Sequence, residues 1–370
     1  MDEKVERLKR WSENKVGPFI VEIWPTNRCN LKCIMCGTWA NRRRLEEKKI
    51  KYNPKEEMKS EVSEKRLIKL IEEANDLDAR EFLITGGGEP FIRKNTTLKL
   101  IKEIKNRELF GNLNTNGTLL TEENINQIVG IGWDMIMFSI DAPDVEAHDY
   151  IRGMRGCFEK VKKNLFTLKK VKKNLRSDKP KIVFNTVLNN KISDKIDKLI
   201  KFASQVDCES ITLIPLIPYD ESTKKIELRD NQKLKLNENI ERLINFSKKL
   251  GVETNLNELS FSVSSGEMNK AIFDEMENSS KDLVHAPCFE PFLHFLVKGN
   301  GEATFCCMIE ESPENIKEKS LEKIWFGEYF NKQRKNFLNK IIREECRFCV
   351  FSQFIRNKEI REYFLSSKTF

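Results

Sequence analysis

Three cysteines fall within eight consecutive residues of the chain, Cys29-Asn30-Leu31-Lys32-Cys33-Ile34-Met35-Cys36. Thiols at this spacing in one short loop can converge on a single metal centre. They are one ligand short of a closed four-coordinate zinc site, and no histidine lies nearby in the sequence to complete it. A cubane iron–sulfur cluster held by three cysteines would instead leave one iron open to a small molecule. A zinc site that borrows a distant fourth cysteine is the alternative.

The cysteine loop follows the first of six short apolar segments that are typical of buried strands. These predicted strands lie at 19–24, 81–85, 111–115, 135–140, 181–187 and 210–215. Helical stretches separate them, and this alternation predicts a parallel sheet with right-handed crossovers. Six units predict an α/β fold in the form of a partial (β/α)6 TIM-type barrel over residues 18–218, rather than a closed eightfold barrel.

Polar and glycine-rich segments follow directly after several of these strands. They are Gly86-Gly87-Gly88-Glu89-Pro90, Thr115-Asn116-Gly117 and Ser139-Ile140-Asp141. In parallel α/β folds the carboxyl ends of the strands form the rim where binding and catalytic groups lie. Glycines there allow the backbone to approach a ligand closely, and a glutamate provides an acceptor for a cationic group. We therefore expect a binding site on the same rim as the cysteine loop.

Three further segments flank the predicted barrel. Residues 1–17 are predicted to form a short charged N-terminal helix, and residues 219–285 a helical linker. Residues 286–370 are predicted to form a small C-terminal domain. Its turn at Gly299-Asn300-Gly301 predicts a β-hairpin, and a helix is predicted to start at Ser320 and to run towards Cys346.

The C-terminal domain contains a second group of cysteines, Cys288, Cys306, Cys346 and Cys349. Four cysteines can close the coordination of one metal centre, and a four-cysteine zinc site is one interpretation. Cys307 could replace Cys306 as a ligand, and the sequence leaves this choice open.

Bulk properties restrict the class of protein. The 370 residues carry a net charge of +8, with ten cysteines and a highly charged start. No apolar run approaches the ~20 residues that span a bilayer. We therefore expect a cytoplasmic protein that binds no membrane and uses its thiols for metals or catalysis rather than disulfides.

The helix predicted at 157–176 is rich in lysine, which is one feature of nucleic-acid-binding surfaces. It also carries an apolar stripe that is typical of a helix packed on a core, so its lysines are expected to face solvent. We therefore predict no nucleic-acid partner. The predicted stripe consists of Phe158, Val161, Leu165, Leu168 and Leu175.

Taken in order, these motifs resemble the radical S-adenosylmethionine (radical SAM) superfamily. The resemblance covers residues 18–218 and rests on the Cys-x3-Cys-x2-Cys loop, on Gly87-Gly88-Glu89-Pro90, on Thr115-Asn116-Gly117, and on Ser139-Ile140-Asp141 with the nearby segment 148–153. One departure is Met35, where the family usually has an aromatic residue. A methionine can still pack against an adenine ring.

The resemblance implies a [4Fe-4S] cluster bound by Cys29, Cys33 and Cys36, with S-adenosylmethionine chelating the open iron. It also implies a flavodoxin- or ferredoxin-type electron donor. The residues that the resemblance places around S-adenosylmethionine are Gly87, Gly88 and Glu89 for the amino group, with Thr115, Ser139 and Arg152 near the ribose or carboxylate.

The C-terminal cysteines resemble the SPASM/twitch domains that many radical SAM enzymes carry. No cysteine follows Cys349, so the match is to the shorter twitch type, which implies one auxiliary [4Fe-4S] cluster. The resemblance also suggests a role for Cys157, because radical epimerases use a non-ligand cysteine as a hydrogen-atom donor. An inert thiol at the start of a helix is the alternative for this residue.

The resemblance implies an enzyme that cleaves S-adenosylmethionine reductively and abstracts hydrogen from a C–H bond. A single auxiliary cluster fits a two-electron oxidation, and we expect a small polar or sugar-like substrate. The alternatives are an epimerase or a cross-linking maturase acting on a ribosomal peptide. From a different class, the chain could be a non-catalytic iron–sulfur or zinc protein.

Overall fold

A computed structural model describes residues 2–11, 16–47, 53–259, 283–349 and 351–366. Residues 12–15 of the predicted N-terminal segment and residues 260–282 of the predicted linker lie outside the described part of the chain. The predicted domain boundaries therefore stay predictions. None of the helices in the described ranges combines the length and the apolar character that crossing a bilayer requires.

All six predicted strands are present, each within two residues of its expected bounds. The structure adds a short strand in the predicted linker, and the two strands of the predicted C-terminal hairpin are also present. The strands are β1 Ile20–Ile23, β2 Glu81–Ile84, β3 Phe110–Thr115, β4 Met135–Ser139, β5 Lys181–Val187, β6 Cys208–Ile214, β7 Glu253–Thr254, β8 His294–Val297 and β9 Ala303–Thr304.

Helices alternate with the strands as the periodicity predicts. In the charged segment 40–65, which the sequence predicts to be an exposed loop or a frayed helix, the described residues are largely helical. The α-helices of the described ranges are α1 Asp2–Trp11, α2 Gly37–Glu47, α3 Pro54–Ser60, α4 Glu64–Asp76, α5 Lys94–Lys105, α6 Glu122–Gly130, α7 Val145–Arg152, α8 Cys157–Leu175, α9 Ile196–Gln205, α10 Glu221–Lys224, α11 Asp230–Lys249, α12 Glu290–Leu293, α13 Leu321–Trp325, α14 Glu328–Leu338 and α15 Phe351–Ser366.

The described chain forms two compact units. The first unit comprises the described residues within Met1–Trp24, Glu61–Leu83 and Ser264–Phe370. The second unit comprises those within Pro25–Ser60 and Ile84–Val263. The N-terminal segment and the cysteine-rich C-terminal segment therefore belong to the same unit.

The second unit contains a parallel sheet in which β3, β4, β5, β6 and β7 pair in sequence order. Along β3 to β6 most side chains alternate between fully buried and half-buried positions. Leu113, Phe138 and Phe184 are fully buried on one face. Such alternation shows that the two faces meet different surroundings. The prediction of an α/β fold built on a parallel sheet is confirmed.

In the first unit β1 pairs in parallel with β8, and β8 pairs antiparallel with β9. The turn between β8 and β9 includes Gly301, whose φ of 93° suits a residue without a Cβ. This is the β-hairpin that the Gly299-Asn300-Gly301 segment predicts.

The helix predicted from Ser320 towards Cys346 is interrupted. It forms α13 and α14, which are separated at Gly327. A Cβ on Gly327 would lie 2.6 Å from the carbonyl oxygen of Lys323, so the chain turns too tightly there for a larger residue. The sequence pattern alone did not reveal this break.

Helix α8 buries most of the predicted apolar stripe, including Phe158, Val161, Leu165 and Leu168. The prediction for Leu175 is wrong, because half of this side chain is exposed. The helix ends at that residue and the chain turns away through a left-handed Arg176, so Leu175 lies at the end of the helix.

Asp134 connects three segments of the second unit. Its Oδ2 accepts hydrogen bonds from Lys105 Nζ at 2.6 Å and from the Gly111 N–H at 2.9 Å, and its Oδ1 accepts one from Lys179 Nζ at 2.5 Å. Although burial opposes ionisation, these donors hold the pKa of Asp134 below its ordinary value. The carboxylate therefore anchors the end of α5 and the start of β3 next to β4.

We expect Asp134→Ala to lower the free energy of unfolding by about 2–3 kcal/mol, because hydrogen bonds to a charged group are lost and Lys105 keeps a half-buried charge. Urea unfolding at neutral pH measures the change. The exposed Glu238 supplies a control, since Glu238→Ala should change the free energy by less than about 0.5 kcal/mol. Equal effects of the two substitutions would contradict the anchoring role.

Candidate functional site

The three cysteines of the N-terminal loop lie together in one apolar cluster of the second unit. Cys33 is buried, whereas Cys29 and Cys36 are half-buried. Met35 and Ile151 are buried in the same cluster. The spacing that predicts a shared centre is therefore matched by packing that brings the sulfur atoms to one place.

The loop is built against the C-terminal end of α7. The N–H of Ile34 donates to the carbonyl oxygen of Ile151 at 2.9 Å. Gly153 ends α7 with a φ of 65°, and a Cβ there would lie 2.5 Å from the carbonyl oxygen of Lys32. Only glycine combines this left-handed conformation with so close an approach.

A second close approach comes from the glycine-rich segment. A Cβ on Gly88 would lie 2.1 Å from the carbonyl oxygen of Arg28, the residue before Cys29. The N–H of Glu89 donates to the same oxygen at 2.9 Å. Gly88 is predicted to let a ligand approach the backbone closely. In the structure, its lack of a Cβ also lets the backbone of the cysteine loop approach.

Glu89 is almost completely buried, and the chain itself holds its carboxylate. Oε1 accepts hydrogen bonds from Thr115 Oγ1 at 2.7 Å and from the Phe91 N–H at 3.1 Å, and Oε2 accepts one from the Asn116 N–H at 2.8 Å. Burial raises the pKa of Glu89, and these donors oppose the rise. One lone pair of Oε2 is left for a donor from a ligand.

A ring of amide and hydroxyl groups continues from this carboxylate to the cysteine loop. Asn116 Nδ2 donates to Asn30 Oδ1 at 3.0 Å, Asn30 Nδ2 donates to Thr118 Oγ1 at 2.9 Å, and Thr118 Oγ1 donates to Asn116 Oδ1 at 2.6 Å. Sequence analysis noted Asn116 only as part of a motif and missed Asn30 and Thr118. No spacing rule could have found them, because they meet across 86 and 88 residues of chain.

Arg152 lies next to the thiols rather than at the outer rim. Its Nε is 2.7 Å from Asp141 Oδ2, and its Nη1 donates to Cys33 Sγ at 3.7 Å. Although burial opposes the charge, Asp141 and Cys33 raise the pKa of Arg152. The structure thus pairs the predicted ligand-binding arginine with a buried carboxylate and aims it at a cysteine sulfur.

The remaining predicted residues of this site lie nearby. Ser139 is half-buried at the carboxyl end of β4, and Gly87 is half-buried in the turn after β2. Cys157 is the first residue of α8 and is fully buried in the cluster that contains the cysteine loop. Its proposed part as a hydrogen donor stays a prediction.

The thiols fit the requirements of an iron–sulfur cluster. Burial raises the pKa of Cys29 to about 11 and the pKa values of Cys33 and Cys157 to about 12. Thiols in such surroundings become thiolates only when a cation compensates their charge, as a bound metal does. Within the described residues, no group of three His, Cys, Asp or Glu side chains is placed to hold a single metal ion. A four-iron cluster is larger than a single metal ion, so its ligands lie farther apart.

The second group of cysteines converges in the first unit. Burial and the nearby Glu290 carboxylate raise the pKa of Cys288, and the thiols of Cys349 and Cys306 add to the rise. Burial also raises the pKa values of Cys346 and Cys349, and Cys306 adds to both. Cys307 lies within hydrogen-bond reach of Cys306, and the choice of ligand between these two thiols stays a prediction.

A buried charge network lies beside this second group. His294 Nδ1 is 2.6 Å from Glu290 Oε2, and His294 Nε2 is 3.2 Å from Glu22 Oε2. Arg356 also pairs with Glu290. Against the effect of burial, the hydrogen bonds to both carboxylates raise the pKa of His294 to about 9. Sequence analysis could not place this network, because its members come from distant segments.

Comparison with known proteins identifies two regions. Residues 23–203 match the model of the radical SAM superfamily, and residues 288–350 match that of SPASM, an iron–sulfur cluster-binding domain.

Two curated proteins resemble parts of the chain. The tungsten-containing aldehyde ferredoxin oxidoreductase cofactor-modifying protein of Pyrococcus furiosus is 25% identical over 199 residues, which are 52% of this chain and 50% of that protein. The AdoMet-dependent heme synthase of Methanosarcina barkeri is 30% identical over 139 residues, 38% of each protein. The chain spans half or less of the length of these relatives.

Solved structures share the fold. Streptococcus suis SuiB bound to S-adenosylmethionine has a TM-score of 0.64 at 18% identity, covering 94% of this chain and 75% of that one. The native anSMEcpe structure with bound AdoMet and the Cp18Cys peptide has a TM-score of 0.58 at 16% identity, covering 89% and 86%. At such identities the likeness concerns the fold alone.

Gly88→Ala should displace the backbone before Cys29, because the added Cβ would overlap the Arg28 carbonyl oxygen. We expect the reconstituted variant to bind about four fewer irons per chain than the original protein. Iron and sulfide analysis measures this loss. Gly130→Ala is the control, since a Cβ at that helical glycine meets nothing within 4 Å. Full iron content in the Gly88 variant would contradict the close approach.

The raised pKa of His294 predicts a pH-dependent stability. Its folded value of about 9 exceeds the ordinary value of about 6.5, so its contribution is complete below pH 6.5 and is lost as the pH rises through 9. We expect the thermal midpoint to decrease as the pH is raised from 7 to 10, by an amount that corresponds to about 1–3 kcal/mol in the free energy of unfolding.

His294→Asn should remove this dependence, whereas His285→Asn should keep it. Differential scanning fluorimetry across the pH range separates the two variants. A slope that is unchanged in the His294 variant would assign the effect to another group.

Proposed function

We propose that the chain is a radical SAM enzyme that cleaves S-adenosylmethionine and abstracts a hydrogen atom from a substrate C–H bond. The match of residues 23–203 to the radical SAM superfamily and of residues 288–350 to a SPASM iron–sulfur domain supports this proposal. The observation that carries this proposal is the convergence of Cys29, Cys33 and Cys36 in one apolar cluster of the second unit. When bound, a reduced [4Fe-4S] cluster with S-adenosylmethionine supplies the electron that breaks the sulfonium bond and yields a 5′-deoxyadenosyl radical.

The residues of the chain have distinct parts in this proposal. Cys29, Cys33 and Cys36 are the cluster ligands. The free lone pair of Glu89 Oε2 suits the amino group of S-adenosylmethionine, and the Arg152 guanidinium compensates negative charge at the Cys33 sulfur. The apolar side chains around the thiols exclude water, which protects a reactive radical from side reactions.

For the overall reaction, we propose a two-electron oxidation of a small polar or sugar-like molecule. The substrate would lose one hydrogen atom to the 5′-deoxyadenosyl radical, then one proton to solvent and one electron to an auxiliary cluster. Cys288, Cys306, Cys346 and Cys349 lie together and would close the coordination of that cluster. A flavodoxin- or ferredoxin-type donor and a cytoplasmic location complete the proposal, since both fit thiols that must stay reduced.

A peptide maturase is the second candidate, acting by epimerisation or cross-linking. It is favoured by the fold likeness to Streptococcus suis SuiB bound to its precursor peptide SuiA, with a TM-score of 0.63 at 19% identity.

We expect the anaerobically reconstituted, dithionite-reduced protein to convert S-adenosylmethionine into 5′-deoxyadenosine and methionine in equal amounts. Cys33→Ala should abolish the product, because the cluster would lose its most buried ligand. Liquid chromatography with mass detection measures both products.

Cys208→Ala is the matched control. Cys208 is also buried, but it lies on β6 and its thiol donates to the Ser210 carbonyl oxygen at 3.2 Å. This variant should keep forming 5′-deoxyadenosine. If iron-loaded protein and the Cys33 variant both form none, the proposal fails and a non-catalytic iron–sulfur protein takes its place.

A further inference from the structure

One face of the parallel sheet in the second unit is lined by uncharged polar side chains. On β3 to β6 the opposite face is buried, whereas most residues of this face are half-buried. The polar side chains of this face are Asn112, Asn114, Ser139, Asn185, Ser210 and Thr212.

Three carboxamide oxygens on this face have no donor. The Oδ1 atoms of Asn112, Asn114 and Asn185 are buried from solvent, and the described part of the chain provides no hydrogen bond to any of them. A buried acceptor without a partner is costly, so native proteins rarely keep one unless water or a ligand supplies the donor. Three such atoms on β3 and β5, the two strands that flank β4, indicate a binding site rather than an isolated defect.

The strand register places these groups in rows. Ser139 on β4 lies opposite Asn185 on β5, and Asn185 lies opposite Thr212 on β6. Asn114 lies opposite Met137, one row closer to the amino ends of the strands. Because paired strands are about 4.8 Å apart, donors and acceptors recur at intervals that one small molecule can span.

The face is almost free of charge. Along β3 to β6, its one ionisable side chain is Lys181, at the amino end of β5 and 3.5 Å from Glu209. A charged group on this face would lose its hydration, and the one cation of this face on these strands already pairs with Glu209, so its binding is unfavourable. The face therefore suits neutral groups.

We propose that this face binds an uncharged substrate whose hydroxyl or amide N–H groups donate hydrogen bonds to the carboxamides of Asn112 and Asn114. The inference rests on the proposed function in one respect, because the bound molecule is taken to be the substrate that loses a hydrogen atom. Ser139 remains a predicted cofactor-binding residue. Asn185, which lies opposite it, is between the predicted cofactor site and the proposed substrate site. The selectivity for neutral over anionic ligands follows from the unpaired acceptors, because a carboxylate has no proton to donate.

Two matched pairs of probes test the selectivity. Methyl β-D-glucopyranoside is compared with its glucuronide, and N-acetylserylalaninamide is compared with N-acetylaspartylalaninamide. Each pair exchanges a hydroxymethyl group for a carboxylate or a carboxymethyl group. Binding to the reconstituted full chain with S-adenosylmethionine, without reductant, is measured by ligand-observed NMR titration. We expect the neutral member of at least one pair to bind at least tenfold more tightly, and the pair that responds tells a sugar-like ligand from a peptide.

Asn114→Leu should weaken binding of the neutral probe about tenfold, since one acceptor is lost from an uncharged site. Asn124→Leu is the control, because its Oδ1 is also buried without a donor from the described residues but lies on α6. If Asn114→Leu fails to fold by circular dichroism, Asn112→Leu and Asn114→Ala take its place.

Equal binding of neutral and anionic probes, no binding of any probe, or wild-type affinity in the Asn114 and Asn112 variants would each overturn the inference. Because no reductant is present, the result does not depend on S-adenosylmethionine cleavage. A protein that fails the cleavage assay can therefore still pass this one, and the reverse also holds.

Discussion

The buried carboxylate of Glu89 is the constraint on which the rest of the site depends. It accepts hydrogen bonds from Thr115 and Asn116, so the segment after β2 is fixed to the segment after β3. Its own N–H donates to the Arg28 carbonyl oxygen, so the same residue fixes the backbone directly before Cys29. A charged group this deeply buried is tolerated because the chain supplies donors to both oxygens. The position of the first cysteine thus depends on two strand ends that lie far from it in sequence.

The electrostatics of the thiols depend on the pair formed by Arg152 and Asp141. A lone guanidinium in this apolar cluster would lose its hydration without compensation, and the Asp141 carboxylate at 2.7 Å offsets that cost. The N–H of Val187 donates to the other oxygen of Asp141, which fixes the carboxylate beside the arginine. The pair is therefore an oriented dipole whose positive end meets the sulfur. It favours a thiolate at Cys33 without adding net charge to the protein interior.

Sequence patterns predicted the strands and the cysteine loop well, because both depend on spacing within short segments. The break at Gly327 was missed because a helical periodicity continues through it, and the exposure of Leu175 was missed because the pattern does not show where a helix loses its partner. The ring formed by Asn30 and Thr118 with Asn116 depends on side chains that meet only after the strands pair. Local pattern therefore gives the elements and the ligand-bearing loop, whereas the contacts that orient the ligands arise from the tertiary fold.

The two groups of cysteines differ in how they depend on that fold. The first needs one loop and a supporting arginine, whereas Cys288 and Cys349 approach each other across a complete hairpin and several helices. Beside the second group, the charge of Glu290 is compensated by Arg356 and by His294, whose Nε2 also lies 3.2 Å from Glu22 Oε2. An electron that enters a low-dielectric site is opposed by nearby negative charge, so an uncompensated carboxylate would disfavour reduction there. Compensation by two cations removes that obstacle, and it makes this region of the first unit electrostatically suited to accept an electron.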